Sequence, residues 1–202
     1  MKFPFRRIPV KKLCVLLALA LAATSALAQT AVRIRGAITA VDATTISVKS
    51  RDGRDLKLAL PDNLAVAVAQ PVRFSEIKDG DFLGVTSKTV NGEEVAIEVH
   101  YLASTVPPGQ LAWDLEPNSK MTNATVRGKV VGVGRRELTL EFTGGSQKVV
   151  VPDGIPLVRT VAGTRADLKA GEYVFISGQA AGDGGLTAQR IQVSKDGVRP
   201  PQ

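Results

Sequence analysis

The side chains able to do covalent or acid–base chemistry are few. There is one histidine, His100, at the end of an apolar run, and one cysteine, Cys14, in an N-terminal stretch expected to be removed. A cysteine–histidine pair and an ordinary zinc site are therefore out of reach of the remaining chain. A serine triad would need His100 beside an acid and a serine on a strained elbow, and no Gly-x-Ser-x-Gly occurs. The carboxylates Asp62, Asp153, Asp79 with Asp81, and Glu93 with Glu94 fall in turns. Asp79 and Asp81 have the oxygen chemistry for a weakly held divalent cation. The matching segment Ala170-Gly171-Glu172 keeps only one acid, which makes turn capping the better reading. Gly182 to Gly185 precedes a strand rather than a helix, so it reads as a hairpin turn and not a phosphate loop. The expectation is no catalysis, no cofactor and no metal.

What remains is recognition. The candidate contact surface comprises Trp113, Tyr173, Phe175, Lys57, Lys148, Arg135 and Arg136. Val174 and Ile176 match Leu83 and Val85 as core residues, which turns Tyr173 and Phe175 outward. Trp113, the one tryptophan, should pack onto the protein rather than hang in water. Lys57 and Lys148 coincide in the two halves of the chain, and Arg135-Arg136 lies in a loop, so a small anionic ligand is a candidate partner beside an envelope protein. The face that would bind an oligonucleotide carries Thr45, Ser47, Lys49 and Lys57, then Thr139, Glu141, Lys148 and Val150. It offers no aromatic for stacking, which disfavours nucleic acid.

The elements that must position these residues come in two copies. Arg35-Gly36-Ala37-Ile38 aligns with Arg127-Gly128-Lys129-Val130 at a separation of 92, and Pro61-Asp62 with Pro152-Asp153 at 91. The same spacing brings Gly80 to Gly171 and Phe82 to Tyr173. A match sustained over most of each half marks an internal repeat. Each copy reads as five strands: a long one over Val32 to Val41 or Ala124 to Val133, then two short amphipathic ones. An irregular stretch, Asp62 to Phe74 or Asp153 to Thr164, leads to one helical turn and two final strands. The predicted fold is all-β: two tandem five-stranded OB-like barrels after a signal peptide. The boundaries are 29–102 and 123–195 for the barrels, 103–122 for a Pro-rich linker carrying Trp113, and 196–202 for a disordered tail.

Residues 1–28 have the form of a secretory signal: Lys2, Arg6, Arg7, Lys11 and Lys12, an apolar run from Leu13 to Ala23, and Ala26-Leu27-Ala28 before Gln29. The apolar run is too short to span a membrane. Cleavage removes five of the 26 basic side chains and none of the 19 acids, leaving 21 against 19. The mature chain is close to neutral, periplasmic or secreted, and has no span after cleavage.

Three pieces carry a resemblance: Arg127-Gly128-Lys129-Val130 to Val133, Leu168 to Gly178, and Leu186-Thr187-Ala188 to Ile191. They resemble the bacterial exported domains of unknown function with OB-like barrels, in tandem. The first copy departs at Gly84 and Ser87, where the pattern has an outward side chain and a glycine. Similar whole-chain proteins are sometimes labelled metal ABC transporter permease, and a permease needs several spanning helices. The resemblance implies a fold with no catalytic residues to carry over. The function expected is a non-catalytic exported binding or adaptor module of the cell envelope, the alternative an accessory or solute-binding component of an ABC-type transport system.

Overall fold

A computed structural model of the chain describes residues 30–182 and 184–201. The signal segment lies outside the described residues. Everything described is strand, turn or one of two single helical turns, and none of it is a helix long and apolar enough to cross a membrane.

The first half supplies β1 (Thr30–Val41), β2 (Thr45–Ser50), β3 (Asp55–Ala59), β4 (Ala65–Pro71), β5 (Phe82–Val90) and β6 (Glu93–Tyr101). A short β7 (Gly109–Ala112) follows. The second half supplies β8 (Lys120–Gly132), β9 (Arg135–Phe142), β10 (Gly145–Val150), β11 (Leu157–Ala162), β12 (Tyr173–Ala180) and β13 (Leu186–Val193). Single helical turns at Phe74–Glu76 and Arg165–Asp167 precede β5 and β12. Each is followed by a glycine at positive φ, Gly80 at 89° and Gly171 at 92°, a conformation that costs glycine little.

The strand partners depart from one barrel per copy. A closed five-stranded barrel runs β1-β2-β3-β13-β12 and back to β1, so its first three strands come from the first copy and its last two from the second. The complementary strands pair in a second circuit, β8-β9-β10-β6-β5 and back to β8. The cores divide the same way. Ile34, Ile46 and Leu58 pack with Val174, Ile176 and Ile191, whereas Leu83, Val85 and Val99 pack with Val126, Leu138 and Leu140. The boundaries 29–102 and 123–195 therefore do not enclose self-contained barrels. The cause is the stretch expected to be irregular, which is extended as β4 and β11. A seven-residue strand covers roughly 23 Å, and β4 carries the chain from one ring to the other. On the way β4 lies parallel to β13 and antiparallel to β11, and β11 lies parallel to β6. The two rings are thus sewn into one continuous sheet.

Two further expectations change. The linker joins β6 to β8, two strands of the same ring, and folds β7 back onto β8 through Gly109↔Asn123 to Ala112↔Lys120. Residues 199–201 of the tail are packed and not loose: Arg199 sits 4.5 Å above the Tyr173 ring, and Pro200 and Pro201 are buried. Prolines have little conformational freedom to lose on docking, which favours a fixed end.

Candidate functional site

The outward face of β1 carries Arg33 and Arg35, two residues apart and so on one side of the strand. The loop after β7 closes over them. Arg33 lies 4.4 Å from the centroid of Trp113, and Arg35 lies 5.9 Å from Trp113 and 4.9 Å from Phe175. Arg35 also grips Asp114 with both terminal nitrogens, at 3.2 and 2.8 Å. These hydrogen bonds hold the Asp114 carboxyl below the usual aspartate range. Arg51, just after β2, donates to the carbonyls of Leu115 and Asp114 at 3.0 and 3.2 Å. On its other side the loop is tied to the second ring by Lys88 Nζ and Glu116 Oε2 at 2.6 Å. Trp113, as the sequence suggests, packs onto the protein; it is the centre of a strap between the rings.

Beneath the strap is a concavity of about 160 Å³ lined by Arg33, Arg35, Arg51, Arg54, Asp52 and Asp114. Arg54 Nε donates to Asp52 Oδ2 at 2.8 Å, and a hydrogen bond from Ser50 holds the Asp52 carboxyl low. Arg35 is only 6% exposed, and its Nε is buried with no hydrogen-bond partner among the described residues. An orphaned buried donor of this kind costs about 1–3 kcal/mol, so the rest of the fold must offset it.

A second cleft, of about 200 Å³, lies on the other side of the strap, with His100, Trp113, Met121, Phe175, Gln192 and Pro201 on its walls. His100 pairs across β5–β6 with Gly84, and Phe175 pairs across β12–β13 with Gln192. These are equivalent positions in the two copies. A Cβ on Gly84 would stand 2.5 Å from His100 Nε2, so the missing side chain is what lets the imidazole lie flat on the strand. His100 Nδ1 is 3.2 Å from Glu98 Oε1, close enough for an ion pair but out of line for a hydrogen bond. Both side chains are nearly enclosed. His100 is thus a wall residue with a buried acid beside it, and no hydroxyl among the described residues is hydrogen-bonded to it.

No protein-family model, curated protein or solved structure matches the chain.

The structure brings some of the expected contact residues together and separates the rest. Trp113 and Phe175 share the cleft, while Tyr173 lies under Arg199. Val174 and Ile176 are fully buried inside the barrel, so the outward orientation of Tyr173 and Phe175 is as the alternation demands. Lys57 on β3 faces Ser47, and Lys148 on β10 faces Thr139; both are exposed, at corresponding places on different rings. Arg135 is held by Glu93 at 2.8 Å and Glu137 at 2.5 Å. Arg136 donates to the carbonyls of Val151 and Pro152 and pairs with Asp153 at 3.0 Å, over the Phe74 ring. Arg135 and Arg136 are therefore spent on structure. Asp81, one of the candidate cation ligands, accepts from the Lys78 amide at 2.8 Å and the Tyr101 hydroxyl at 2.9 Å. Burial, with Asp81 beside it, pushes the Tyr101 phenol up to about 12.

The cluster that sequence reasoning missed is Arg33, Arg35, Arg51 and Arg54. Its signal is present as Arg-x-Arg in β1 and Arg-Asp-Gly-Arg in the turn after β2, where the second copy has Thr125, Thr143 and Ser146 in place of three of the four arginines.

Proposed function

We propose that this chain is a non-catalytic, exported binding or adaptor module of the cell envelope, built from two OB-like barrels that exchange their last two strands. Export rests on the form of residues 1–28. The single observation that carries the binding role is the strap: Trp113 and Asp114 are fixed against Arg33, Arg35 and Arg51, which leaves concave surfaces on both sides. Donors held in place before a ligand arrives lose little freedom on binding, and that is the economy of a recognition site.

The test is thermal-shift screening of the exported protein against glycans, small anions, divalent metals and envelope extracts. A ligand of the folded state should raise the melting temperature by mass action. That shift should fall away in Trp113→Ala, which removes the centre of the strap. Turnover of any of these compounds, or a flat response to all of them, would overturn the reading.

A further inference from the structure

We propose that the arginine-lined concavity beside β1 binds a phosphate monoester, one per chain. The inference rests on the binding-module reading above and adds the chemistry of its ligand.

The charges decide the class. Four guanidinium groups and two carboxylates line the cavity, a net charge of +2. The carboxylates are already engaged, Asp114 by Arg35 and Asp52 by Arg54. That leaves Arg33 and Arg51 in no ion pair among the described residues; Asp114, already held by Arg35, acts on Arg33 only at longer range. Arg33 lies over Trp113, 4.4 Å from the ring centroid, and Arg51 is anchored through neutral carbonyls, so each is positioned without an ion pair to neutralise it. Arg35, which lines the same cavity, adds a rigid buried guanidinium behind them, its terminal nitrogens held by Asp114 and its Nε enclosed without an acceptor among the described residues.

Planar guanidinium donors match phosphate oxygens in pairs, and Arg is the side chain suited to that recognition. A phosphate monoester carries close to two negative charges at neutral pH, which the two uncompensated arginines balance. A monoanion would leave one of them unmet. The cavity, at about 160 Å³, has room for a phosphate headgroup and the few atoms next to it, not for a long glycan. The matching region of the second ring has Thr125, Thr143 and Ser146 instead of Arg33, Arg51 and Arg54, which sets the expected stoichiometry at one.

Such a group could come from a soluble metabolite or from a lipid headgroup, and the experiment separates the two. The full exported chain is titrated calorimetrically with glycerol 3-phosphate at low salt, and sedimented with phosphatidylcholine vesicles with and without phosphatidic acid. The expected result is one site for the monoester, weakened roughly tenfold or more in Arg33→Gln/Arg51→Gln and unchanged in Lys57→Gln/Lys148→Gln. Methyl sulfate, a monoanion of similar shape, should bind roughly tenfold more weakly than glycerol 3-phosphate. Vesicle binding that needs phosphatidic acid and the same two arginines assigns the lipid as source, and binding of the soluble ester alone assigns a metabolite. Should the double variant fail to fold, Arg51→Gln alone serves, because Arg51 is exposed and, among the described residues, its guanidinium bonds to two loop carbonyls and to no carboxylate. Binding that ignores Arg33 and Arg51, or no response in either arm, overturns the site. If the thermal-shift screen meanwhile finds another ligand, the binding module stands without this site. If it finds none, both readings fall.

Discussion

Arg35 and Arg127 hold the same slot in the two copies and differ in what surrounds them. Arg35 is buried under Trp113 and Phe175 and clamps the linker's Asp114. Arg127 is exposed and reaches across to Glu141 on the neighbouring strand, 2.7 Å away. Inside the rings the copies agree, with Leu83 and Val85 playing the part of Val174 and Ile176. Outside they part, because the connecting segment, 103–119, pairs β7 edge to edge with β8 but lays Trp113 and Asp114 over the arginines of β1. The interiors of the two halves thus match, while the single linker makes one outer face unlike the other.

The sharpest way to break this comparison is through the core. Ile176→Ala should cost about 2–4 kcal/mol, and hydrogen exchange should speed up first in β1, β2 and β3 rather than in β8 to β10. The reverse pattern would mean that β12 closes the ring of its own copy. Next in size is Trp113→Ala. Losing the stacked guanidiniums and the strap's packing should cost about 1–2 kcal/mol, seen as a lower melting temperature. A fall of a few tenths would make the strap a passive loop.

The two arginines themselves come third. Arg35→Ala should cost about 1–2 kcal/mol, since it strips Asp114 of both donors, whereas Arg127→Ala should stay within about 0.5 kcal/mol, as exposed pairs do. Equal losses in denaturant titrations would erase the asymmetry. The smallest effect is in acid. The Asp114 carboxyl is lowered in the folded state, so its stabilisation is present above the ordinary aspartate value of 3.8 and is lost as the pH falls through the depressed one. Asp114→Asn should therefore be less stable than wild type at neutral pH and converge with it below that window. A constant gap across the acid limb would mean that Asp114 acts by shape and not by charge.

Much of the fold could be read from residue order, and the unread part has a physical cause. Alternation assigns a face to each side chain, so Val174 and Ile176 against Tyr173 and Phe175 could be placed without coordinates. The left-handed glycines Gly80 and Gly171 were legible for a similar reason, since both follow a short turn. Alternation does not name the partner strand. Because Leu83 with Val85 and Val174 with Ile176 are near equivalents, either pair fills either ring, and only the reach of β4 and β11 decides between them. β4 is hard to recognise as a strand because Ala65 to Pro71 is rich in alanine and ends in proline. Within the candidate site, Trp113 and Phe175 were legible as aromatics in need of cover. The arginines were not, because their convergence depends on a turn after β2 and a loop more than sixty residues away meeting at β1.

Exchange of strands also sets the order in which the molecule can be completed. The ring of β5, β6, β8, β9 and β10 has all its strands once residue 150 is available, whereas the ring that begins at residue 30 must wait for β13 to end at residue 193. In a chain emerging from its N-terminus, the earliest strands are thus the last to be closed. During that interval β1, β2 and β3 form an open sheet with an unpaired edge on each side, the kind of surface that invites pairing with other chains. Contacts between β1 and β12 span most of the sequence, and non-local pairing of this kind slows folding. The early strands would have to be kept apart from their neighbours, by dilution or by a chaperone, until the end of the chain arrives.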